Sequence, residues 1–307
     1  MEKSVIEKLN DAMWTKKSRI VAGLDPTWDL IPKKFYDYHE NDEEEMDEVI
    51  KESIIRSFCI DYIDAVEDLV PAIKINSAFF EEEHYEEMYR EVASYAKHKG
   101  LLVIGDVKRA DIGSTSEAYA KAFLGEYSPF DAITINPYFG TDGIKPFIKM
   151  VNQNKKAVFI LVKTSNESSS EIQDLELSNG LLVHEAVADL VNQWGNYTET
   201  DNYGYKLVGA VVGATHPKQA AELRKRMPKT FFLVPGYGAQ GATAEDVAVN
   251  FDSAGLGAIV NSSRGLMCAY KKAEYSHYGE GNWQQATRVA LKKSIAEINE
   301  AIEARKF

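Results

Sequence analysis

Alternating charges occupy one short segment of the chain, which reads Asp106-Val-Lys108-Arg-Ala-Asp111. Asp106 and Lys108 are two residues apart, so an extended strand would direct both side chains to the same face. If the preceding strand lies alongside, Lys74 can lie next to Asp106, and ammonium and carboxylate groups then alternate in a water-poor pocket. Charges at the ends of apolar strands cost free energy unless they pair or take part in chemistry. The spacing therefore indicates a functional cluster.

Two other interpretations of this cluster remain open. Asp106 and Asp111 could bind a metal ion, although no His or Cys ligand is near and the lysines already supply positive charge. We therefore predict no metal site. The cluster could also be a structural ion-pair network, because such networks also shift titration behaviour without taking part in catalysis.

A second segment has residues suited to binding an anion. The glycines of Pro235-Gly-Tyr-Gly-Ala-Gln-Gly241 let backbone N–H groups approach an anion closely. Arg264 follows the next apolar run, in Asn261-Ser-Ser-Arg-Gly265, and its planar guanidinium fits two phosphate oxygens. A glycine-rich turn alone is most often an ordinary loop. With Arg264 one strand later, the pair predicts a phosphate site.

The elements that must position these residues alternate along the chain. Polar stretches with helical spacing, such as Phe79–His98, Ser116–Phe123 and Lys218–Arg226, separate near-continuous apolar runs of the kind found in strands buried on both faces. Strands that are each followed by a helix predict an α/β protein with a (β/α)₈ TIM barrel, whose active-site face is at the carboxyl ends of the strands. An open, doubly wound sheet is the alternative. The predicted strands are Arg19–Leu24, Ala72–Asn76, Leu101–Asp106, Ala132–Asn136, Ala157–Val162, Leu207–Val212, Phe231–Pro235 and Ala258–Asn261.

The barrel is predicted to use residues 1–307 as a single domain. Two stretches, near 27–60 and 165–206, exceed the minimal repeat, and we predict that they are insertions. The first contains seven acidic residues between Glu40 and Glu48, which we interpret as a solvated helix face because like charges prefer water. The segment Met1–Arg19 has apolar residues at helical spacing and predicts an amphipathic helix rather than a signal peptide.

Composition excludes several classes of protein. The 307 residues carry 35 basic and 47 acidic side chains, a net charge of −12, which disfavours nucleic acid and anionic membranes as partners. Two cysteines, Cys59 and Cys268, are too few for a disulfide framework or a zinc site, and their apolar neighbours predict that both are buried. No run approaches the roughly 18 apolar residues that span a bilayer. We expect a soluble, cytoplasmic protein.

At this point the sequence resembles the orotidine 5′-phosphate decarboxylase family. The segment from Asp106 to Thr115 is similar to the signature of that family, and other motifs follow in the same order from residue 22 to residue 264. The insertions and Asn136-Pro-Tyr138 resemble its longer bacterial subgroup. The further matching motifs are Ala22-Gly-Leu-Asp-Pro26, Ile73-Lys-Ile-Asn76, Thr164-Ser-Asn166, Pro235-Gly-Tyr-Gly-Ala-Gln-Gly241 and Asn261-Ser-Ser-Arg264.

The resemblance implies a reaction without a cofactor, in which orotidine monophosphate loses carbon dioxide and becomes UMP, the last step of de novo pyrimidine synthesis. Lys108 would lie beside the carbanion on C6 and protonate it. Asp106 would lie close to the departing carboxylate, and Lys74 would hold Asp106 ionised. Asp111 would complete the charge ring from the second subunit of a homodimer, so that sites are shared across the interface.

The resemblance also implies substrate-binding positions. Asp25 would bind a ribose hydroxyl, Ser165 the pyrimidine edge and Arg264 the phosphate, while Gln240 would belong to a lid over that phosphate. Ile112 and Thr115 would lie near Asp111. The complete predicted binding set is Asp25, Asn76, Ile112, Thr115, Ser165, Pro235, Gln240 and Arg264.

Two alternative functions remain open at this point. A sugar-phosphate lyase or synthase of the same superfamily would have a related barrel but usually needs a magnesium-binding acid where this chain has Lys74. A catalytically inactive nucleotide-binding protein would keep the phosphate loop and lose the charged cluster. Lys74, Asp106, Lys108 and Asp111 are all present, which favours the decarboxylase.

Overall fold

The core of the protein is a closed barrel of eight parallel strands, which pair in sequence order until β8 meets β1. The computed structural model describes residues 2–36 and 46–305. Closure of the sheet confirms the predicted (β/α)₈ TIM barrel and excludes the open sheet. The strands are β1 (Ile20–Leu24), β2 (Ala72–Asn76), β3 (Leu102–Arg109), β4 (Ala132–Ile135), β5 (Ala157–Lys163), β6 (Val208–Val212), β7 (Phe232–Val234) and β8 (Ala258–Ser262).

Helices connect successive strands, and a further helix precedes β1. This first helix confirms the amphipathic prediction, because Val5, Ile6, Leu9 and Met13 are all buried. Among residues 2–36 and 46–305, no helix has the length and apolar character needed to cross a membrane. The helices are α1 (Val5–Lys16), α2 (Glu48–Val66), α3 (Ala78–Glu81), α4 (Glu86–His98), α5 (Gly113–Leu124), α6 (Gly140–Asn154), α7 (Ser170–Gln173), α8 (Val183–Gly195), α9 (Pro217–Arg226), α10 (Ala244–Ala248), α11 (Arg264–Met267) and α12 (Trp283–Ala304).

One predicted helix is divided in two. The apolar spacing predicts a helix over Phe79–His98, whereas the structure has α3 and α4 with a break between them. His84, within the break, has a φ of 59°. That value lies in the left-handed region, which a right-handed helix of L-residues does not contain. The chain therefore turns at His84 before α4 begins.

Both predicted insertions include a helix that belongs to the barrel. α2 begins at Glu48 and connects β1 to β2, and α8 lies between β5 and β6. Each has fully buried aromatic side chains, such as Phe58 of α2, which contacts Trp283 of α12, and Trp194 of α8. The stretch 27–60 thus includes the first part of α2, and the stretch 165–206 includes all of α8. Acidic and polar residues next to these helices hid their apolar periodicity in the sequence.

The acidic run lies mostly outside the described residues. Its members from 40 to 45 fall in the gap between 36 and 46, so the predicted solvated helix face has no structural outcome there. The described end of the run begins α2: the Asp47 carboxylate accepts a hydrogen bond from Val49 N (2.8 Å), and Glu48 lies in the first turn. Acidic side chains stabilise a helix at this position because the N-terminal N–H groups lack partners within the helix.

The two cysteines differ in burial. Cys59, in α2, is fully buried as predicted, and burial raises the pKa of its thiol. Cys268, just after α11, is only partly buried, and the prediction that it is buried is wrong. It ends a short helix at the barrel surface, where its thiol donates to the backbone carbonyl of Arg264 (2.7 Å).

Candidate active site

A cavity of about 430 Å³ lies at the carboxyl ends of the barrel strands. Parallel strands bring their last residues together at this end, which is where TIM barrels bind substrates. A larger cavity of about 760 Å³, between the 237–245 segment and α12, is lined by none of the predicted site residues. The predicted residues that line the 430 Å³ cavity are Asp25, Lys74, Asn76, Asp106, Lys108, Ser165, Pro235, Gln240 and Arg264.

Asp106 is the centre of a buried charge cluster. Its Oδ2 accepts a hydrogen bond from Lys74 Nζ at 2.6 Å, and its Oδ1 accepts from Lys108 Nζ at 2.5 Å. Thr134, at the end of β4, also donates to Oδ1 (2.9 Å). The register of β2 and β3 pairs Asn76 with Asp106 and so brings the Lys74 side chain beside this carboxylate. Both carboxylate oxygens are thus occupied by protein donors.

Electrostatics keep this cluster charged. Burial alone would raise the pKa of Asp106, but the ammonium groups of Lys74 and Lys108 hold the pKa of this carboxyl far below its usual range. Burial likewise opposes the charge on Lys74, yet the carboxylates of Asp106 and Asp25 raise the pKa of Lys74 above its ordinary value. Asp106 is therefore ionised, and Lys74 is protonated, throughout the neutral range.

The backbone at Lys108 departs from a regular strand. Lys108 has a φ of 44°, in the left-handed region, and the pairing of β3 with β4 shifts register between Gly105 and Arg109. Its N–H donates to Thr134 Oγ1 (3.0 Å) rather than to the strand ladder. The predicted convergence of Asp106 and Lys108 holds, but a bulge produces it instead of strand alternation. Non-glycine residues in this conformation store strain and concentrate at functional sites.

Two buried oxygen atoms in the cavity lack a donor. Asp25 Oδ1 and Asn261 Oδ1 have no hydrogen-bond partner among residues 2–36 and 46–305. A buried acceptor without a donor costs free energy, so a ligand hydroxyl or amide would be favoured here. Gly23 leaves room for Asn261, because a Cβ at position 23 would lie 3.0 Å from Asn261 Oδ1 and 1.8 Å from Ser263 Oγ. A side chain at position 23 would therefore force these two side chains to move.

The part of the cavity lining that follows β7 and β8 is suited to an anion. Gly236, Gly238 and Gly241 have φ values of 102°, 71° and 91°, which only glycine adopts readily. Gln240 lies in the same turn, after β7, and Arg264 begins the short helix after β8. No carboxylate in the described part of the chain pairs with the Arg264 guanidinium. Loops after the seventh and eighth strands are the usual phosphate site of TIM barrels.

Three of the predicted site residues do not line the cavity of the chain that carries them. Asp111, Ile112 and Thr115 follow β3, where the chain turns outward into α5, and none of them lines the cavity. The Asp111 carboxylate accepts a hydrogen bond from the N–H of Ile112 (2.8 Å). The Ile112 side chain is 56% exposed, and the nearby Tyr138 is 87% exposed. A single chain therefore has Lys74, Asp106 and Lys108 in its site but not Asp111.

Sequence reasoning missed several residues of the cavity. Thr134 was the most informative omission, because it bonds both Asp106 and the backbone of Lys108. It lies two residues before Asn136, so its position at a strand end was the available signal. Asn261 was part of a recognised motif but had no predicted role. Thr164, Asn166 and Ser263 also line the cavity and likewise belong to recognised motifs without a predicted role.

Fold and site together define a class of protein: a TIM-barrel enzyme whose cavity is lined by a lysine–aspartate cluster, a glycine-rich turn and Arg264. The chain belongs to the Orotidine 5′-phosphate decarboxylase / HUMPS family, whose sequence profile matches residues 18–277. The orotidine 5′-phosphate decarboxylase of Rhodopirellula baltica is 44% identical over 295 residues, covering 92% of this chain and 95% of that protein. The Caldicellulosiruptor bescii enzyme of the same name is 40% identical, covering 96% and 98%.

A solved structure agrees with these sequence relationships. The OMP decarboxylase of Leishmania donovani superimposes with a TM-score of 0.72 at 29% identity, covering 98% of this chain and 99% of that chain. The similarity extends over nearly the full length of both proteins. These comparisons confirm the family that the sequence predicts and support the predicted decarboxylase activity.

Proposed function

We propose that this chain is a carboxy-lyase that converts orotidine 5′-phosphate to UMP and carbon dioxide without a cofactor. The observation that carries the proposal is Asp106, buried and ionised between Lys74 and Lys108, in a cavity that Arg264 and the glycine-rich turn also line. A nucleotide with its phosphate at Arg264 would present its base to this cluster. The family and the relatives support the same substrate.

The reaction follows from the charges of the cluster. The bond between C6 and the carboxylate carbon breaks, carbon dioxide leaves, and the electron pair stays on C6. The Lys108 ammonium, already oriented by Asp106, stabilises this developing charge and donates a proton to C6; the neutral amine then regains a proton from water. A fixed ammonium stabilises charge without having to reorganise during the reaction, which is the largest contribution in many enzymes. Asp106 lies where the substrate carboxylate would be repelled.

The remaining polar residues bind the substrate. Asp25, whose Oδ1 lacks a donor, accepts from a ribose hydroxyl, and Lys74 contacts the same sugar. Ser165 hydrogen-bonds the pyrimidine edge. Arg264 and Gln240 hold the phosphate. Asn76 and Pro235 line the cavity and shape it around the ligand.

We further propose a homodimer with shared sites. Asp111 of the partner subunit would complete the charge ring, and Ile112 and Thr115 would accompany it. Exposed apolar side chains support an interface at this position: Ile112, Tyr138 and Phe139 are 56%, 87% and 49% exposed. Large apolar residues grouped on a surface mark interaction sites. Both cysteines are free thiols, which is consistent with a cytoplasmic location.

The test of the activity is the absorbance change of orotidine monophosphate with purified protein in excess chelator. We expect turnover that the chelator leaves unchanged, because Lys74 and Lys108 occupy the oxygens of Asp106 that a cation would need. No turnover in the absence of chelator would contradict the proposed function. Turnover abolished by chelator would favour a metal-dependent mechanism like that of the sugar-phosphate enzymes.

Replacing Arg264 with alanine should weaken the binding of UMP by about 2–4 kcal/mol, because a charge-assisted, bidentate phosphate contact is lost. Titration calorimetry of both proteins with UMP measures this difference. Uridine, which lacks the phosphate, should bind the variant and the parent protein equally. An equal loss of affinity for uridine would mean that Arg264 supports the fold rather than the phosphate.

Replacing Thr134 with valine should lower kcat by about 10- to 100-fold with little change in KM. Valine has the shape of threonine but neither donates to Asp106 nor accepts from the Lys108 N–H, so the catalytic pair loses its support. Thr134→Ser retains the hydroxyl and should recover most of the rate. Steady-state kinetics of the two variants measure the effect, and equal rates in both would exclude a role for the hydroxyl.

A further inference from the structure

Lys163 is a fully buried lysine outside the active-site cavity. It is the last residue of β5, its side chain has no exposed surface, and its Nζ contacts both carboxylate oxygens of Asp174 at 2.8 and 2.9 Å. Burying an ammonium without a partner is strongly unfavourable, so the Asp174 carboxylate stabilises Lys163 at this position. The next two residues, Thr164 and Ser165, line the cavity.

Asp174 is itself held by two further elements. Gln219, in α9, donates to Asp174 Oδ1 at 3.0 Å. His184, in α8, has its Nδ1 3.1 Å from the same oxygen and 2.7 Å from the backbone carbonyl of Gln173. The residue after α7 is thereby tied to a strand and two helices of the barrel. The Asp174 carboxylate therefore connects the segment after α7 to β5, α8 and α9.

The adjacent residue, Gln173, hydrogen-bonds the residue that follows β5. Its Oε1 accepts from the N–H of Thr164 (2.9 Å), and its Nε2 donates to Thr164 Oγ1 (2.7 Å). Gln173 and Asp174 therefore bind the two residues that immediately precede Ser165. On the other side, Thr215 donates to the backbone carbonyl of Ser165 (3.1 Å).

We propose that the Lys163–Asp174 ion pair, together with Gln173, is a brace that positions Ser165 toward the pyrimidine. The inference rests on the proposed function, since Ser165 is assigned there to the base. It gives a role to the segment between β5 and α8. Gln173 and Asp174, at the end of α7, bind back to Lys163 and Thr164 at the end of β5. Lys163 and Asp174 are positioning residues, because neither lines the cavity, and Lys163 has no access to a substrate carbonyl.

A double-mutant cycle between Asp174→Asn and Ser165→Ala tests the brace. Asp174→Asn alone should lower kcat/KM for orotidine monophosphate by about 10- to 100-fold, because small misplacements of a contact group are costly. In the Ser165→Ala background the same change should cost less than about threefold, because the residue it positions is gone. Multiplicative losses in the cycle would overturn the proposal.

A matched control separates positioning from general destabilisation. Asp131, like Asp174, is paired with a lysine: its carboxylate lies 2.9 Å from Lys97 Nζ, and it precedes β4 at the opposite end of the barrel. Asp131→Asn should lower the melting temperature and leave kcat/KM unchanged at temperatures where the protein is folded. If Asp174→Asn behaves like Asp131→Asn, Asp174 has only a structural role.

If Asp174→Asn does not fold, a second variant tests the proposal. Lys163→Met combined with Asp174→Leu removes both charges, and such apolar replacements of buried ion pairs often retain stability. This variant should keep a melting temperature close to that of the parent while kcat/KM stays reduced about tenfold or more. Parental kcat/KM in this folded variant would overturn the brace. If the parent protein itself has no turnover, the proposed function fails instead, so the two failures are distinguishable.

Discussion

Replacing Lys108 with alanine should lower kcat by at least about 10⁴-fold, because one side chain supplies both the charge opposite the carbanion and the proton that C6 receives. Binding of UMP should change little. The product has no carbanion, and Arg264 and Asp25 remain to hold its phosphate and ribose. An interaction made mainly in the transition state is expected to affect kcat rather than ground-state binding. Single-turnover kinetics and UMP titration together measure the two effects.

Lys97→Ala is the matched control for Lys108→Ala. Lys97, in α4, also forms an ion pair with an aspartate, Asp131, but this pair lies at the other end of the barrel from the cavity. We expect this variant to keep kcat within about twofold of the parent protein, as surface substitutions commonly do. A Lys108→Ala protein that folds and turns over substrate at nearly the parental rate would refute the assignment of the proton donor.

Replacing Asp111 with alanine should lower kcat/KM by about 100- to 1,000-fold, the effect typical of a group that orders charge in a reaction centre. The expected effect is large although Asp111 is absent from the cavity of its own chain. Its carboxylate, projecting from an exposed apolar surface beside Ile112, would reach the Lys108 ammonium of the partner subunit and orient it. Steady-state kinetics at a protein concentration well above the dimer dissociation constant measure the effect.

Glu126→Ala is the control for Asp111→Ala. Glu126 is an exposed acid just after α5, the helix that begins next to Asp111. It should change kcat/KM by less than about twofold, because exposed charges interact weakly through water. If both variants lose activity equally, the loss from Asp111→Ala reflects the surface charge of this region rather than a site residue.

The barrel could be predicted because its strands are recognisable in the sequence as continuous apolar runs. Strands buried on both faces are continuous apolar runs, and β2, at Ala72–Asn76, has the bounds that the sequence predicts. Polar residues at the ends of such runs then identify the site, as for Lys74 and Asp106. The helices were harder to delimit. α2 and α8 lie beside acidic and polar stretches, and the sequence alone did not identify either as a helix.

Other features depend on contacts that one sequence does not encode locally. The positive φ of Lys108 arises from a register shift against β4 and from the Thr134 hydroxyl, which is 26 residues away. The pairing of Lys163 with Asp174 requires the chain to return across α7. A role for Asp111 in a second subunit followed only from the family resemblance. Each of these features depends on tertiary or quaternary geometry rather than on propensity or spacing.

Subunit complementation tests whether Lys108 of one chain and Asp111 of its partner form one active site. Lys108→Ala and Asp111→Ala homodimers should each be nearly inactive. If the two variants are mixed in equal amounts and their subunits exchange freely, about half of the dimers are heterodimers. One site of each heterodimer has both defects, whereas the other has intact Lys108 from one chain and intact Asp111 from its partner.

Differently tagged chains confirm that exchange has occurred. Activity should then rise to about 25% of the parental value, because one quarter of all sites are intact. This value depends on the geometry of the dimer and on no rate constant. If heterodimers form and activity stays at the level of the separate variants, Asp111 does not act across the interface, and the shared site is wrong.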